Sequence, residues 1–159
     1  IRAVETFGIS IEAYMSPREF GVCDGTAEPK EGVIICQQNR KTFGMSYRTI
    51  IGNDVKKNDY GSKIHLIYGC TASTSDRSYT TINESPDIIN FSWDVSTTPV
   101  PVEGFKPTSC LIIDTTKFDK AKIEKLELAL YGGEAGSGGT PAKVDPYLPL
   151  PEEVLEILK

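Results

Sequence analysis

Apolar and polar side chains alternate with a period of two along several stretches of this chain, the pattern of strands with one buried face. The clearest stretch is Asn83 to Asp114, NESPDIINFSWDVSTTPVPVEGFKPTSCLIID. Ile89, Phe91, Trp93 and Val95 fall on one side, and Asn90, Ser92, Asp94 and Ser96 on the other. Phe91 and Trp93 are therefore expected to be core anchors. Pro99, Pro101 and Pro107 withhold three amide donors, so residues 97–107 read as a connection or sheet edge. Thr108 to Thr115 resumes as a strand, and its SCLII run has too few polar breaks to name a face, which suits a strand covered on both sides.

Other segments alternate in the same way. Glu5 to Met15 sets Phe7, Ile9, Ile11 and Ala13 against Thr6, Ser10 and Glu12. Gly32 to Gln37 carries the β-branched run Val33-Ile34-Ile35, and Thr42 to Gly52 alternates Phe43, Met45 and Tyr47 with Gly44, Ser46 and Arg48. Ser62 to Tyr68 sets Ile64, Leu66 and Tyr68 against Lys63, His65 and Ile67. The last two strands should form a hairpin around the polar loop Asn53 to Gly61, nine residues long. Long polar hairpin loops are seldom idle, which singles out Asn53, Asp54, Lys56, Lys57, Asp59 and Tyr60.

The connections carry their own punctuation. SPREFGVCDGTAEPKEG, after the first strand, reads as a long connection with a short helical turn starting at Pro17 and turns at Asp24-Gly25 and Pro29. Thr71 to Arg77 reads as a polar connection, and Ser78 to Ile82 as a short edge strand. Thr116 and Asp119 form T-x-x-D, so Thr116 is the expected cap of a helix running from about Lys117 to Tyr131, with Ile123, Leu126, Ala129 and Leu130 on its buried stripe. Gly132 and Gly133 end it, and residues 132–146 read as a flexible glycine-rich connection. Pro151 to Leu158 is a last helix with Val154, Leu155 and Leu158 inward. The elements make a mainly β fold, expected to be one domain over residues 1–159.

Composition narrows the function classes. Hydrophobic residues make up 39% and charged residues 25% of 159, and no apolar run approaches the roughly 20 residues of a membrane span. No secretory signal is visible. The 17 Lys and Arg are scattered and outnumbered by 22 Asp and Glu, giving a net charge of −5. That balance disfavours tight binding of nucleic acid, while leaving room for DNA to pass an acidic wall.

A search for chemistry finds no constellation. Cys23, Cys36, Cys70 and Cys110 are separated by 13, 34 and 40 positions, without the close pairs that zinc sites use, and are expected as reduced thiols. His65 is the only histidine and reads as a surface or interface residue. The glycines of GGEAGSGG follow a helix, whereas a phosphate loop precedes one. Asn53, Asp54, Asn58 and Asp59 lack the ordered spacing of a calcium loop, and Lys56 and Lys57 sit among them. The expectation is a protein that is not an enzyme, holds no cofactor or metal, and works by binding or assembly.

Several segments together resemble the major tail protein of bacteriophages with long, non-contractile tails. They are ETFGISIEAY at 5–14, QQNRKTFGMSYRTIIGND at 37–54, GSKIHLIYG at 61–69 and TINESPDIINFSWDVSTTPVPVEGFKP at 81–107, followed by the helix and the terminal LPLPEEVLEIL. Family members usually carry additional sequence before the ETFG-like strand, and this chain begins almost at it. The resemblance implies a two-sheet antiparallel β-sandwich, barrel-like, with one flanking helix and a short C-terminal one. It implies a homo-oligomer, six copies to a ring and rings stacked into the tail tube of the virion, with Asn53, Asp54, Lys56, Lys57, Asp59 and Tyr60 of the polar hairpin loop as candidates for a contact between subunits or rings. Assembly would take place in the bacterial host cytoplasm beside partners such as a tape measure and a tail terminator, without a membrane. Phage DNA would pass through the tube without specific binding. Two rival readings are a stand-alone immunoglobulin-like β-sandwich binding module and the inner-tube subunit of a contractile tail.

Overall fold

A computed structural model describes residues 7–54, 57–74, 79, 90–135 and 142–159. In chain order its elements are β1 (Gly8–Ala13), α1 (Gly21–Asp24), β2 (Ala27–Lys30), β3 (Val33–Ile35), β4 (Phe43–Asn53), β5 (Lys57–Thr74), β6 (Phe91–Thr97), β7 (Cys110–Asp114), α2 (Lys120–Tyr131), β8 (Gly133–Ala135), β9 (Ala142–Val144) and α3 (Pro151–Leu158). Single 3-10 turns occupy Arg18–Phe20 and Thr115–Lys117. The fold is mainly β with antiparallel pairing, and its longer helices lie toward the C-terminus, as the alternation and the single strong helical stripe lead one to expect.

The chain divides into two compact units, Ile1–Phe43 with Gly69–Thr98, and Gly44–Tyr68 with Pro99–Lys159. In the first, β6 is hydrogen-bonded on one side to β1 and on the other to the end of β5. The two faces read separately from the sequence meet in register: Ile9 stands opposite Val95, Ile11 opposite Trp93 and Ala13 opposite Phe91. Trp93 and Val95 are buried with Cys70 and Ala72 of β5. Phe20, from the turn that Pro17 starts, packs edge-on against both Trp93 and Phe43, with ring centroids 5.3 and 5.4 Å away. Phe91 is only half-buried.

The connection after β1 is more structured than its turn-rich wording suggests. α1 closes on Gly25 at φ 79, and β2 pairs with β3 as a two-stranded hairpin exposed throughout. Pro29 lies inside β2 rather than in a turn; a two-stranded hairpin leaves each strand an unpaired side where a missing amide costs little.

In the second unit the first part of β5 runs between β4 and β7. Its inward face is the expected one. Ile64, Leu66 and Tyr68 join Ile113 of β7, Ile123, Leu126 and Leu130 of α2, and Val154 and Leu158 of α3 in one apolar cluster. The layer laid against the sheet is thus helical. The buried residues of α2 are Ile123, Leu126, Ala129 and Leu130, the stripe that a period of 3.6 picks out. Gly132 ends α2 at φ 69, its amide donating to Leu128 O. β8 and β9 pair within the stretch 132–146 that reads as a flexible connection; residues 136–141 lie outside the described ones.

Five further expectations change. Thr116 does not cap α2: Asp114 accepts from the Thr116 amide and hydroxyl at 3.0 and 2.6 Å, a 3-10 turn follows, and extended Phe118 separates it from α2, which starts after Asp119. A charged acceptor at the end of β7 takes the donors first. On α3, Leu155 is 49% exposed while Pro151, Val154 and Leu158 are buried. β7 is not covered on both sides, because Ile113 points into the core while Ile112 is 59% exposed. Residues 71–74, read as a connection, continue β5. The hairpin loop is far shorter than nine residues, since β4 extends to Asn53 and β5 begins at Lys57. The expected edge strand at 78–82, and Ile89, fall outside the described residues.

Candidate functional site

The residues singled out for subunit contact occupy the end of the β4–β5 hairpin. Asp54 is exposed in the turn, and Tyr60 is 44% exposed on β5. Asn53 belongs to β4, and Lys57 and Asp59 to β5, but their side chains lie outside the described residues, as does Lys56 altogether. The tip is therefore mainly strand, with a hydrogen-bonded backbone that continues the sheet toward the turn. Polarity had marked these positions as solvent-facing; it does not distinguish a loop from the end of a two-stranded ribbon.

Strand β4 presents its other long side without a partner strand among the described residues. Among the described residues it is bonded to β5 alone, and Ile50 on it is 65% exposed. On one face of β4, Tyr47 stacks flat on His65 with ring centroids 4.4 Å apart and 4° between planes, and Thr49 Oγ1 lies 3.0 Å from His65 Nε2. His65 stands in register with exposed Ile112 of β7. The outer face of this sheet thus runs from aromatic Tyr47 through imidazole to aliphatic Ile112. On β4's opposite face, Arg48 forms an ion pair with Glu127 of α2, and Gly44 lets Leu148 approach to where a Cβ would lie 2.2 Å from Leu148 Cδ2. In the first unit, β1 is likewise bonded to β6 alone among the described residues.

No protein-family model, curated protein or solved structure matches the chain.

The four cysteines are free. Burial pushes the thiols of Cys70 and Cys110 above their usual range, and that of Cys23 too, against the opposing pull of Lys41. Such thiols are poor nucleophiles. Among the described residues no three His, Cys, Asp or Glu side chains gather to hold a metal ion, and no helix is long and apolar enough to cross a membrane.

One polar constellation escaped the sequence. Asp24, at the end of α1, accepts at Oδ1 from Trp93 Nε1 at 2.9 Å and from Thr74 Oγ1 at 3.1 Å. Arg40 reaches the same strand end, donating from Nη1 to Ala72 O at 2.8 Å and Ser73 Oγ at 3.2 Å, and from Nη2 to Thr74 Oγ1 at 3.3 Å. Trp93 is thus a core anchor held by a hydrogen bond to a carboxylate as well as by packing. The only trace of this in the sequence is that the Trp93 indole, once buried, needs an acceptor.

Proposed function

We propose that this chain is a structural subunit that self-assembles into stacked hexameric rings, the tube of a long non-contractile bacteriophage tail and the conduit for its DNA. The observation that carries the reading is the side of β4 that no strand among the described residues pairs with, an eleven-residue edge with Ile50 exposed upon it. An edge of that length is a ready template for another chain's strand, and proteins that do not use such an edge usually blunt it with charge, proline or a bulge. The ordered run of tail-protein-like segments supports the same reading. A ring closes when each copy gives one edge and receives another, which a heterologous contact with the right rotation achieves.

Electron microscopy of the concentrated protein tests this. Wild type is expected to give rings or tubes, and Ile50→Lys, a substitution on an exposed side chain, is expected to abolish them while shifting stability by no more than about 0.5 kcal/mol. A wild-type protein that stays monomeric at every concentration, also when supplied with the segment that precedes the first strand in the resembling proteins, overturns the reading. Replacing Asp54, Lys56, Lys57 and Asp59 together by serine is expected to impair tubes and leave folding intact. Normal tubes from that variant would remove the hairpin tip from the assembly surface.

A further inference from the structure

We propose that the recess of the first unit between α1 and the residues preceding β4, about 620 Å3 in volume and lined among others by Asp24, Gly25, Gln37, Asn39, Arg40 and Thr74, is a binding site for a small carboxylate. The ligand's two oxygens are taken by the free edge of the Arg40 guanidinium. A guanidinium has five N–H donors in a rigid fork. Three are spent on Ala72 O, Ser73 Oγ and Thr74 Oγ1, all neutral acceptors on the last residues of β5. The Nε–H and one Nη2–H have no acceptor among the described residues, and no carboxylate among them forms an ion pair with Arg40. In a guanidinium the Nε–H lies beside an Nη2–H, and that edge is the one that receives both oxygens of a carboxylate.

The backbone around the recess keeps that edge open. Gly25 sits at φ 79, and a Cβ there would stand 3.1 Å from Arg40 Nε and Cγ, crowding the Nε end of the guanidinium. Glycine meets both requirements, the left-handed backbone and the uncovered Nε. Gln38 N donates to Gly25 O at 2.9 Å and Lys41 N to Val22 O at 3.0 Å, so the loop carrying Arg40 is tied to α1 on both sides of it. Gln37, between them in sequence and α1, adopts φ 61, a backbone conformation that costs a non-glycine residue free energy. A side chain pinned at three points loses little further freedom when an anion arrives.

The neighbouring charge sets the strength. The Asp24 carboxylate lines the same recess and works against an anion, with the Thr74 hydroxyl standing between it and Arg40. The site is open to water, so the pair with Arg40 is screened and the affinity is millimolar. A free small carboxylate and an acidic side chain of another protein offer the same two oxygens. Acetate added to dilute protein tests the first source, and concentration-dependent association tests the second.

The experiment follows the Arg40 Nε–Hε resonance of the 15N-labelled protein as sodium acetate is added, against sodium chloride at equal ionic strength. Acetate is expected to shift the resonance saturably and chloride is not. Arg40→Lys, which keeps the charge and loses the fork, is expected to weaken acetate binding at least ~5-fold, read from the Gly25 and Asn39 amide resonances. Asn39→Asp, which places a competing carboxylate at the recess and leaves Arg40 in place, is expected to weaken it similarly. Asp24→Asn is expected to tighten it about 3-fold by removing the opposing charge. If acetate produces no saturable shift and Arg40→Lys leaves association of the concentrated protein unchanged, the proposal is overturned. The same holds if acetate binds Arg40→Lys as tightly as wild type. Dilute monomer suffices for the acetate arm, so its outcome is independent of whether the chain builds tubes.

Discussion

Tyr68 shows how one buried polar group couples the fold to pH. Its ring is 3% exposed within the apolar cluster, and its hydroxyl donates to Pro149 O at 2.8 Å. Burial raises the phenol's pKa far above its usual value, and the negative charges that Cys110 and Glu153 can carry push the same way. The neutral form is the one the fold favours. Its contribution is therefore complete below the unfolded tyrosine value of about 10 and is lost as pH climbs through and beyond it. Cys70 and Cys110, also raised by burial, add a loss that begins near ~8.5, the unfolded thiol value. Urea midpoints are thus expected to fall steadily between about pH 8 and pH 11. Tyr68→Phe should be less stable than wild type at pH 7 by about 1–2 kcal/mol, from the lost hydrogen bond and the unpaired carbonyl, and should lose less on going alkaline. Parallel profiles for the two proteins would show that the phenol does not titrate with unfolding.

At the scale of elements, the two longer helices of the second unit differ in how well their faces can be told from sequence. α2 has twelve residues, enough turns for the period of 3.6 to single out Ile123, Leu126, Ala129 and Leu130, and these are the ones buried. α3 has eight, and its adjacent Val154 and Leu155 compete for one inward position. Packing resolves it through Pro151, Val154 and Leu158, spaced three and four apart, which turns Leu155 outward. Leu126→Ala is accordingly expected to cost about 2–5 kcal/mol, and Leu155→Ala no more than about 0.5, by urea denaturation. Equal costs would contradict the assigned face of α3. The strands divide in the same way. Ile9, Ile11, Trp93 and Val95 declared their faces because polar residues interrupt them, whereas the SCLII run left Ile112 ambiguous until pairing with His65 placed it outside. The hairpin end was misjudged because Asn53, Lys57, Asn58 and Asp59 are polar, and polarity reports solvent, not backbone conformation. The Arg40 constellation was out of reach altogether: its acceptors are Ala72, Ser73 and Thr74, brought beside it only by the fold.

For the whole molecule, the decisive quantity is charge set against unpaired backbone and apolar surface. Each copy carries a formal −5, so a ring of six would gather −30 before any contact charge is paired. The exposed ends that could drive closure, Ile50 on β4 and Ile112 on β7, are uncharged, and burying them gains free energy that salt does not weaken. Repulsion between copies, by contrast, acts over a Debye length, about 10 Å at 0.1 M salt and about 30 Å at 0.01 M. Assembly driven by strand edges and apolar side chains is therefore expected to strengthen with ionic strength, with rings or tubes forming at lower protein concentration in about 0.5 M than in about 0.01 M sodium chloride. Assembly driven by ion pairs, for instance through Lys56 and Lys57, would show the opposite dependence. Sedimentation at fixed protein concentration across that range separates the two. Assembly that weakens as salt rises would shift the drive from the free edge of β4 to the charged tip of its hairpin.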